Sequence, residues 1–273
     1  MGAIWDGASN LLLELLKFLY GITNSYGLAI ILLTVLVRLA LYPLNQKQMV
    51  SMQQMQRIQP RLKVLQEKYA NDREKMQRET MALYKEYKVN PAAGCLPILL
   101  QLPILILLFN ILREYDFADT TFLGVYLGSS FTSGLAKALG VAASAEGEYS
   151  ILSILSAIPG NPAGLANFGL YIGNLFLIIA ISVLTLVQQK MSGGNNPQMA
   201  TMNAIMPFFM AFICLSMPGG VMLYWGLSSL IGVAQQYMVI RKTSEEMAVK
   251  PNLYKNKPTL QHDDDDDEED EDE

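Results

Sequence analysis

Residues 24–48 read NSYGLAIILLTVLVRLALYPLNQKQ, and this stretch decides the fold. From Tyr26 to Leu44 the only charge is Arg38. A run of this length and composition matches the roughly 20 predominantly apolar residues that cross a bilayer core about 30 Å thick. Four further runs qualify, at 95–112, 168–187, 199–217 and 220–240. The first of these contains Pro97 and Pro103, which a span tolerates where neighbouring helices satisfy the freed carbonyls. The expected fold class is an all-α membrane protein with five transmembrane helices, a cytoplasmic helical hairpin and an N-terminal interfacial helix.

Composition agrees. Of the 273 residues, 51% are hydrophobic and 16% charged, against about 25% charged in soluble proteins. The charges are unevenly placed. Positions 263–273 form an unbroken acidic run of 11 residues, and without it 20 Lys and Arg face 14 Asp and Glu, a balance of +6. Cys95 and Cys214 both lie in apolar runs, so a disulfide framework or cysteine metal cluster is not expected. His262 is the single histidine and abuts the acidic run. No metal and no cofactor are expected. A cleavable signal is not expected either, because the apolar stretch at 11–16 is interrupted by Glu14 and lacks a basic leader.

Basic residues set the orientation. The segment between the first two spans carries ten, Lys47, Arg57, Arg61, Lys63, Lys68, Arg73, Lys75, Arg78, Lys85 and Lys88. Lys190, Arg241 and Lys242 fall on the same side, whereas the other side holds only Lys17, Arg113 and Lys137. The N-terminus is therefore expected outside and the C-terminus in the cytoplasm.

The expected organisation follows the chain. Residues 1–22 place Trp5, Leu12, Leu15, Leu16 and Leu19 near one face of a helix in the outer interface, with a loose N-terminal extension as the alternative. The first span covers 26–44, and a basic hairpin fills 45–92. Its first stripe is Met49, Met52, Met55, Ile58, Leu62, Leu65 and Tyr69, with Pro60 expected to break or kink it and to start a fresh helix. Asn71-Asp72 marks a turn and cap, and Met76, Thr80, Leu83 and Tyr87 return. After the second span, an outer segment at 113–167 includes the short apolar stretch 151–158, an interfacial or re-entrant piece. The third span (168–187), a cytoplasmic loop at 188–198 and the fourth span follow. A tight Pro218-Gly219 hairpin leads into the fifth, and a disordered tail occupies 241–273.

Arg38 is the first candidate for function. An arginine in mid-span costs about 2.5–3.5 kcal/mol, while the apolar residues around it contribute roughly −3 to −7 kcal/mol. The span can carry Arg38, but no Asp or Glu lies in any span to pair with it. Either it is the fixed charge of a water-filled cavity inside the bundle, or it snorkels to the nearby cytoplasmic end. Thr34, Gln101, Asn174, Thr185, Gln188, Gln189, Asn203, Ser228, Ser229, Gln235 and Gln236 sit at similar depth or nearer the cytoplasm. Singly, each is interhelical glue; together they outline a hydrophilic groove open to the cytoplasm. Met199, Met202, Met206 and Met210 share one face of the fourth span, either as flexible packing or as an adaptable surface for varied clients.

The chain resembles the YidC/Oxa/Alb family of membrane protein insertases. The likeness runs through 24–48, through MQRIQPRLKVLQEKYANDREKMQRETMALYKEYKVNPAAGCLPILLQLPILILLFNILRE at 55–114, and through MPFFMAFICLSMPGGVMLYWGLSSLIGVAQQYMVIR at 206–241. Its most specific element is NPAAGCLPILLQLPI at 90–104 beside a lone arginine in the first span. The resemblance implies that Arg38 is the groove arginine and that Gln188 or Gln189 faces the groove. It further implies that Tyr224 and Trp225 contact clients. Thr34, Gln101, Asn203 and Ser228 complete the expected groove. Implied partners are nascent membrane proteins and the lipid bilayer, with the ribosome and a Sec-type translocon as further candidates. No nucleic acid is expected beyond ribosome contact. The implied location is the bacterial plasma (inner) membrane.

Three departures from the family stand out. The outer segment is longer than in short members, no large extracytoplasmic domain or lipoprotein cysteine is present, and the tail ends acidic rather than basic. The expected function is insertion of client segments through a positively charged groove without ATP. No phosphate-binding glycine loop or nucleophile–base constellation suggests an enzyme. A solute transporter would show paired halves, which five spans cannot form. A membrane-embedded assembly scaffold that binds client helices without inserting them is the alternative.

Overall fold

The computed structural model describes residues 2–87, 89–90, 96–114, 120–143, 149–191 and 197–249. At 2–4, 96–100, 112–114, 197–203 and 243–249 the backbone alone is described. Of the loop expected at 188–198, residues 192–196 lie outside the described residues and the rest are helical; the tail from 250 onward, with the acidic run, and Cys95 also lie outside.

Helix α1 (Gly2–Thr23) packs against α2 (Tyr26–Ala40) and α5 (Leu96–Glu114). Its Leu16 and Leu19 are buried beside Ala29, Ile30 and Leu33 of α2 and Leu105 and Leu108 of α5. The N-terminal helix is thus docked rather than loose. Asn24, at positive φ, turns the chain between α1 and α2.

The first span does not run as one straight helix to Leu44. It breaks at Leu41, and α3 (Tyr42–Lys68) departs at 64°. The cause is Pro43: it has no N–H for the Leu39 carbonyl, and its ring would collide with that carbonyl. Apolar composition continues to Leu44 and conceals the break. Pro60, expected to interrupt the next helix, lies inside α3 without ending it. Its ring is exposed, so no neighbouring element has to make room for it. The turn signal at Asn71-Asp72 is correct. Asp72 caps α4 (Arg73–Glu86), its Oδ1 accepting from the Lys75 N–H at 2.9 Å. Arg61 donates to the Tyr87 hydroxyl across the pair.

The described residues between 120 and 170 form short regular elements. Strands β1 (Thr121–Phe122) and β2 (Val125–Tyr126) form a two-residue hairpin whose turn, Leu123-Gly124, takes positive φ at both residues. Such a turn matches the twist of a hairpin. Helix α6 (Phe131–Leu139) opens with a Ser130/Ser133 capping box and closes on left-handed Gly140. The short stretch of uncertain character is α7 (Ile151–Ala157), with Ile154 buried against α6. Two 3-10 turns at 162–166 and 168–170 lead into α8 (Ile172–Met191), so the third span starts later than its apolar run. Helix α9 (Pro197–Leu215) turns through Pro218 into α10 (Gly219–Val249). Residues 241–249, expected within a disordered tail, continue α10.

Helix α10 is the central element, packed on α8, α2, α5 and α3. Close approach at the end of the bundle that carries the hairpin needs glycine. A Cβ on Gly27 would overlap the Phe122 ring, one on Gly173 the Gly124 carbonyl, and one on Gly219 the Tyr126 carbonyl. The hairpin is thereby seated across the ends of α2, α8 and α10. Among the described residues, α8 is long and apolar enough to cross a bilayer alone, and α2 with α3 meets the same measure as a bent pair. Gln101–Ile111 and Ala204–Leu215 are shorter apolar stretches.

Candidate functional site

Arg38 stands in the last turn of α2, just before the bend. Its guanidinium turns toward α10 at Gly232. A Cβ built there would lie 3.8 Å from both Arg38 Nη1 and Nη2 and 2.9 Å from Gln188 Nε2. Gln188 also donates to the Ser229 carbonyl at 3.2 Å. Three helices thus bring a cation and a carboxamide to one glycine. The next side chain on α8, Gln189, is rotated by about 100°, so Gln188 is the member of the pair that meets Arg38. No carboxylate pairs with Arg38 among the described residues.

A polar stripe on α10 extends this junction. Tyr224, Ser228 and Gly232 recur every four residues on one face, and Gln235 and Gln236 follow. All five are buried. The Tyr224 hydroxyl accepts from Gln101 Nε2 of α5 at 3.1 Å, and Tyr224 and Arg38 are close enough to interact electrostatically. One turn along, Ser228 Oγ is buried without a well-formed hydrogen bond among the described residues. Thr34, fully buried one turn before Arg38, donates to the Ile30 carbonyl at 2.6 Å. Isolated polar groups in an apolar bundle are costly. Here several of them gather near a guanidinium that has no carboxylate partner among the described residues.

Several expectations shift. Tyr224 is 2% exposed and Trp225 half-buried against two core clusters, so the aromatic pair is packed into the bundle in this arrangement. Asn174 does not belong to the Arg38 junction. Its Oδ1 accepts from the Tyr126 N–H at 3.2 Å, and its Nδ2 donates to the Ser129 carbonyl at 2.7 Å, pinning the hairpin to α8. Asn203 falls outside the residues whose side chains are described. The exposed face of α9 carries Ile205, Phe208, Phe209 and Phe212, while Met206 and Met210 are half-buried. Gly232 was missed by sequence reasoning, since a glycine in a span is ordinary and nothing nearby in sequence names its neighbours.

A helical bundle with exposed aliphatic and aromatic faces, and with one arginine and several amides between its helices, defines a membrane-embedded helical protein. Residues 18–246 match the 60Kd inner membrane protein family, and the chain belongs to that family. It is 37% identical over 239 residues to the protein named Membrane protein insertase YidC of Fusobacterium nucleatum, covering 85% of this chain and 97% of that one. It is 35% identical over 233 residues to the protein of the same name from Lawsonia intracellularis, covering 85% of this chain and 38% of the longer relative. The solved structure described as active YidC insertase with the first transmembrane domain resolved superposes with a TM-score of 0.60 at 27% identity, covering 85% of this chain and 46% of that one. The resemblance read from the motifs is correct.

Proposed function

We propose that this chain is a membrane protein insertase that moves client hydrophobic segments from the cytoplasm into the bilayer through the groove around Arg38. The observation that carries the reading is the meeting of Arg38 and Gln188 over Gly232, beside buried Thr34, Tyr224, Gln101 and Ser228. A client's short hydrophilic outer segment enters this interior, where the guanidinium and the amides replace part of its water. The barrier lowered is desolvation, several kcal/mol for each unsatisfied polar group in hydrocarbon. Acidic segments gain most from a fixed positive charge. The client's apolar helix leaves along the exposed faces of α8 and α9, where Phe176, Ile179, Phe208 and Phe212 already face outward. Burial of that helix in lipid drives the step, without ATP and without a catalytic residue.

In this reading α2, α5, α8, α9 and α10 span the bacterial plasma membrane, α1 lies at its outer surface, and α3 and α4 form a cytoplasmic hairpin. The N-terminus is outside and the C-terminus inside, as the ten basic residues of the hairpin region support. Clients are nascent membrane proteins; the ribosome and a Sec-type translocon are the partners that the hairpin would meet.

The test is insertion of a single-span client with an acidic outer segment into liposomes holding only this protein, comparing wild type with Arg38→Ala. Efficient insertion that falls sharply in Arg38→Ala supports the groove. Equal insertion by both removes Arg38 from the mechanism. Client binding without insertion by either assigns the protein as an assembly scaffold.

A further inference from the structure

Where α3 diverges from α10, the two helices enclose a cavity of about 260 Å³. Tyr42, Gln46 and Met49 line it from α3, and Gln235 and Met238 from α10. Arg241 and Lys242, both exposed, also line it, and no acidic residue does so among the residues whose side chains are described. The cavity lies beyond the Arg38 junction along α10 and shares Gln235 with the polar stripe that extends that junction.

Three features narrow what it can hold. From Gly219 to Arg241, α10 rises roughly 33 Å, about the thickness of a hydrocarbon core. The two cations therefore sit at headgroup depth. Gln235 is 8% exposed, and its Oε1 is buried with no hydrogen-bond partner among the described residues. The cavity wall thus contains an acceptor in need of a donor. Met49, half-buried, and Met238, half-exposed, supply adaptable apolar surface. Basic pockets between membrane helices on the cytoplasmic side suit anionic headgroups.

We propose that this cavity binds the headgroup of an anionic phospholipid, with its phosphodiester against Arg241 and Lys242 and a headgroup hydroxyl donating to Gln235. The first acyl methylenes lie along Met49 and Met238. A rotation of the Gln235 carboxamide, whose terminal torsion is broad, presents Oε1 to the ligand. A phosphatidylglycerol-type lipid satisfies all three requirements, whereas phosphatidylcholine has neither the net charge nor the donor. The site does not depend on the groove, and failure of the Arg38 test would leave it standing.

The experiment is native mass spectrometry of the full chain released from nanodiscs of mixed phosphatidylglycerol and phosphatidylcholine. Wild type is expected to retain phosphatidylglycerol preferentially. The preference should fall about fivefold for each of Arg241→Gln and Lys242→Gln, and Gln235→Leu should reduce discrimination between phosphatidylglycerol and phosphatidic acid, a phosphomonoester without the headgroup glycerol. Equal retention of the two mixed lipids, or a preference that none of these variants alters, overturns the proposal. Displacement of phosphatidylglycerol by millimolar inorganic phosphate would mark a free-anion site instead and equally overturn it. A full chain with 263–273 neutralised to Asn and Gln is the last arm. Preference that emerges only in that variant means the acidic run occupies the cavity, and the lipid proposal fails.

Discussion

Gly232 is the position where one atom tests the groove. In Gly232→Ala the new Cβ would stand 2.9 Å from Gln188 Nε2, inside the roughly 3.5–4.0 Å of comfortable contact. The carboxamide must retreat by about 0.5–1 Å. Its bond to the Ser229 carbonyl, already 3.2 Å long, lies at the outer limit of good geometry and would be lost. That loss is worth about 1 kcal/mol, offset by the roughly 0.5–1 kcal/mol that alanine gains over glycine in a helix interior. Stability should therefore hardly change. The same Cβ lies 3.8 Å from both terminal nitrogens of Arg38, so alanine leaves the guanidinium in place. The larger side chain of Gly232→Leu does not, and overpacking of this kind costs about 1–3 kcal/mol. Insertion of the acidic single-span client into liposomes, run beside thermal unfolding, separates the effects. Gly232→Ala should fold normally and insert somewhat more slowly. Gly232→Leu should remain folded and lose about tenfold in insertion, equivalent to 1.4 kcal/mol. A folded Gly232→Leu protein that inserts at the wild-type rate would refute the idea that clients need the space where Arg38 and Gln188 meet.

Three further outcomes follow from the same geometry. Gly27→Ala drives a Cβ into the Phe122 ring and should lower stability by about 1–3 kcal/mol. Adding Phe122→Ala should recover part of the loss in a thermal-unfolding cycle, and strictly additive effects would count against the contact. Gln101→Leu leaves the buried Tyr224 hydroxyl without its donor, a loss of about 1–3 kcal/mol that Tyr224→Phe should largely restore; a neutral Gln101→Leu would show the tie to be dispensable. Asp72→Ala removes the α4 cap and should weaken that helix by about 0.5–2 kcal/mol, seen as faster amide exchange at 73–76, and unchanged exchange would deny the cap a role.

Much of the architecture was legible because a bilayer selects on composition over a window. Apolar runs, an unpaired Arg38 and the Asn71-Asp72 turn are local facts, and each places an element. The same locality explains the errors. Leu41 and Leu44 look continuous with the first span, yet the missing N–H of Pro43 ends the helix before them. Pro60 has the same chemistry but an exposed position, where the helix accommodates it. The polarity of Asn174 is visible in the sequence, but its service to Tyr126 and Ser129 depends on where the hairpin crosses α8.

Sequence by itself determined which segments can leave water and which of them carries an unmatched charge, because hydropathy and charge belong to residues. Only the tertiary structure decided what that charge meets. Arg38, Gln188 and Gly232 come from three helices far apart in the chain, and packing in lipid depends on close approach at small residues rather than on hydrophobic drive. Which glycine is approached, and by whom, is a property of the assembled bundle.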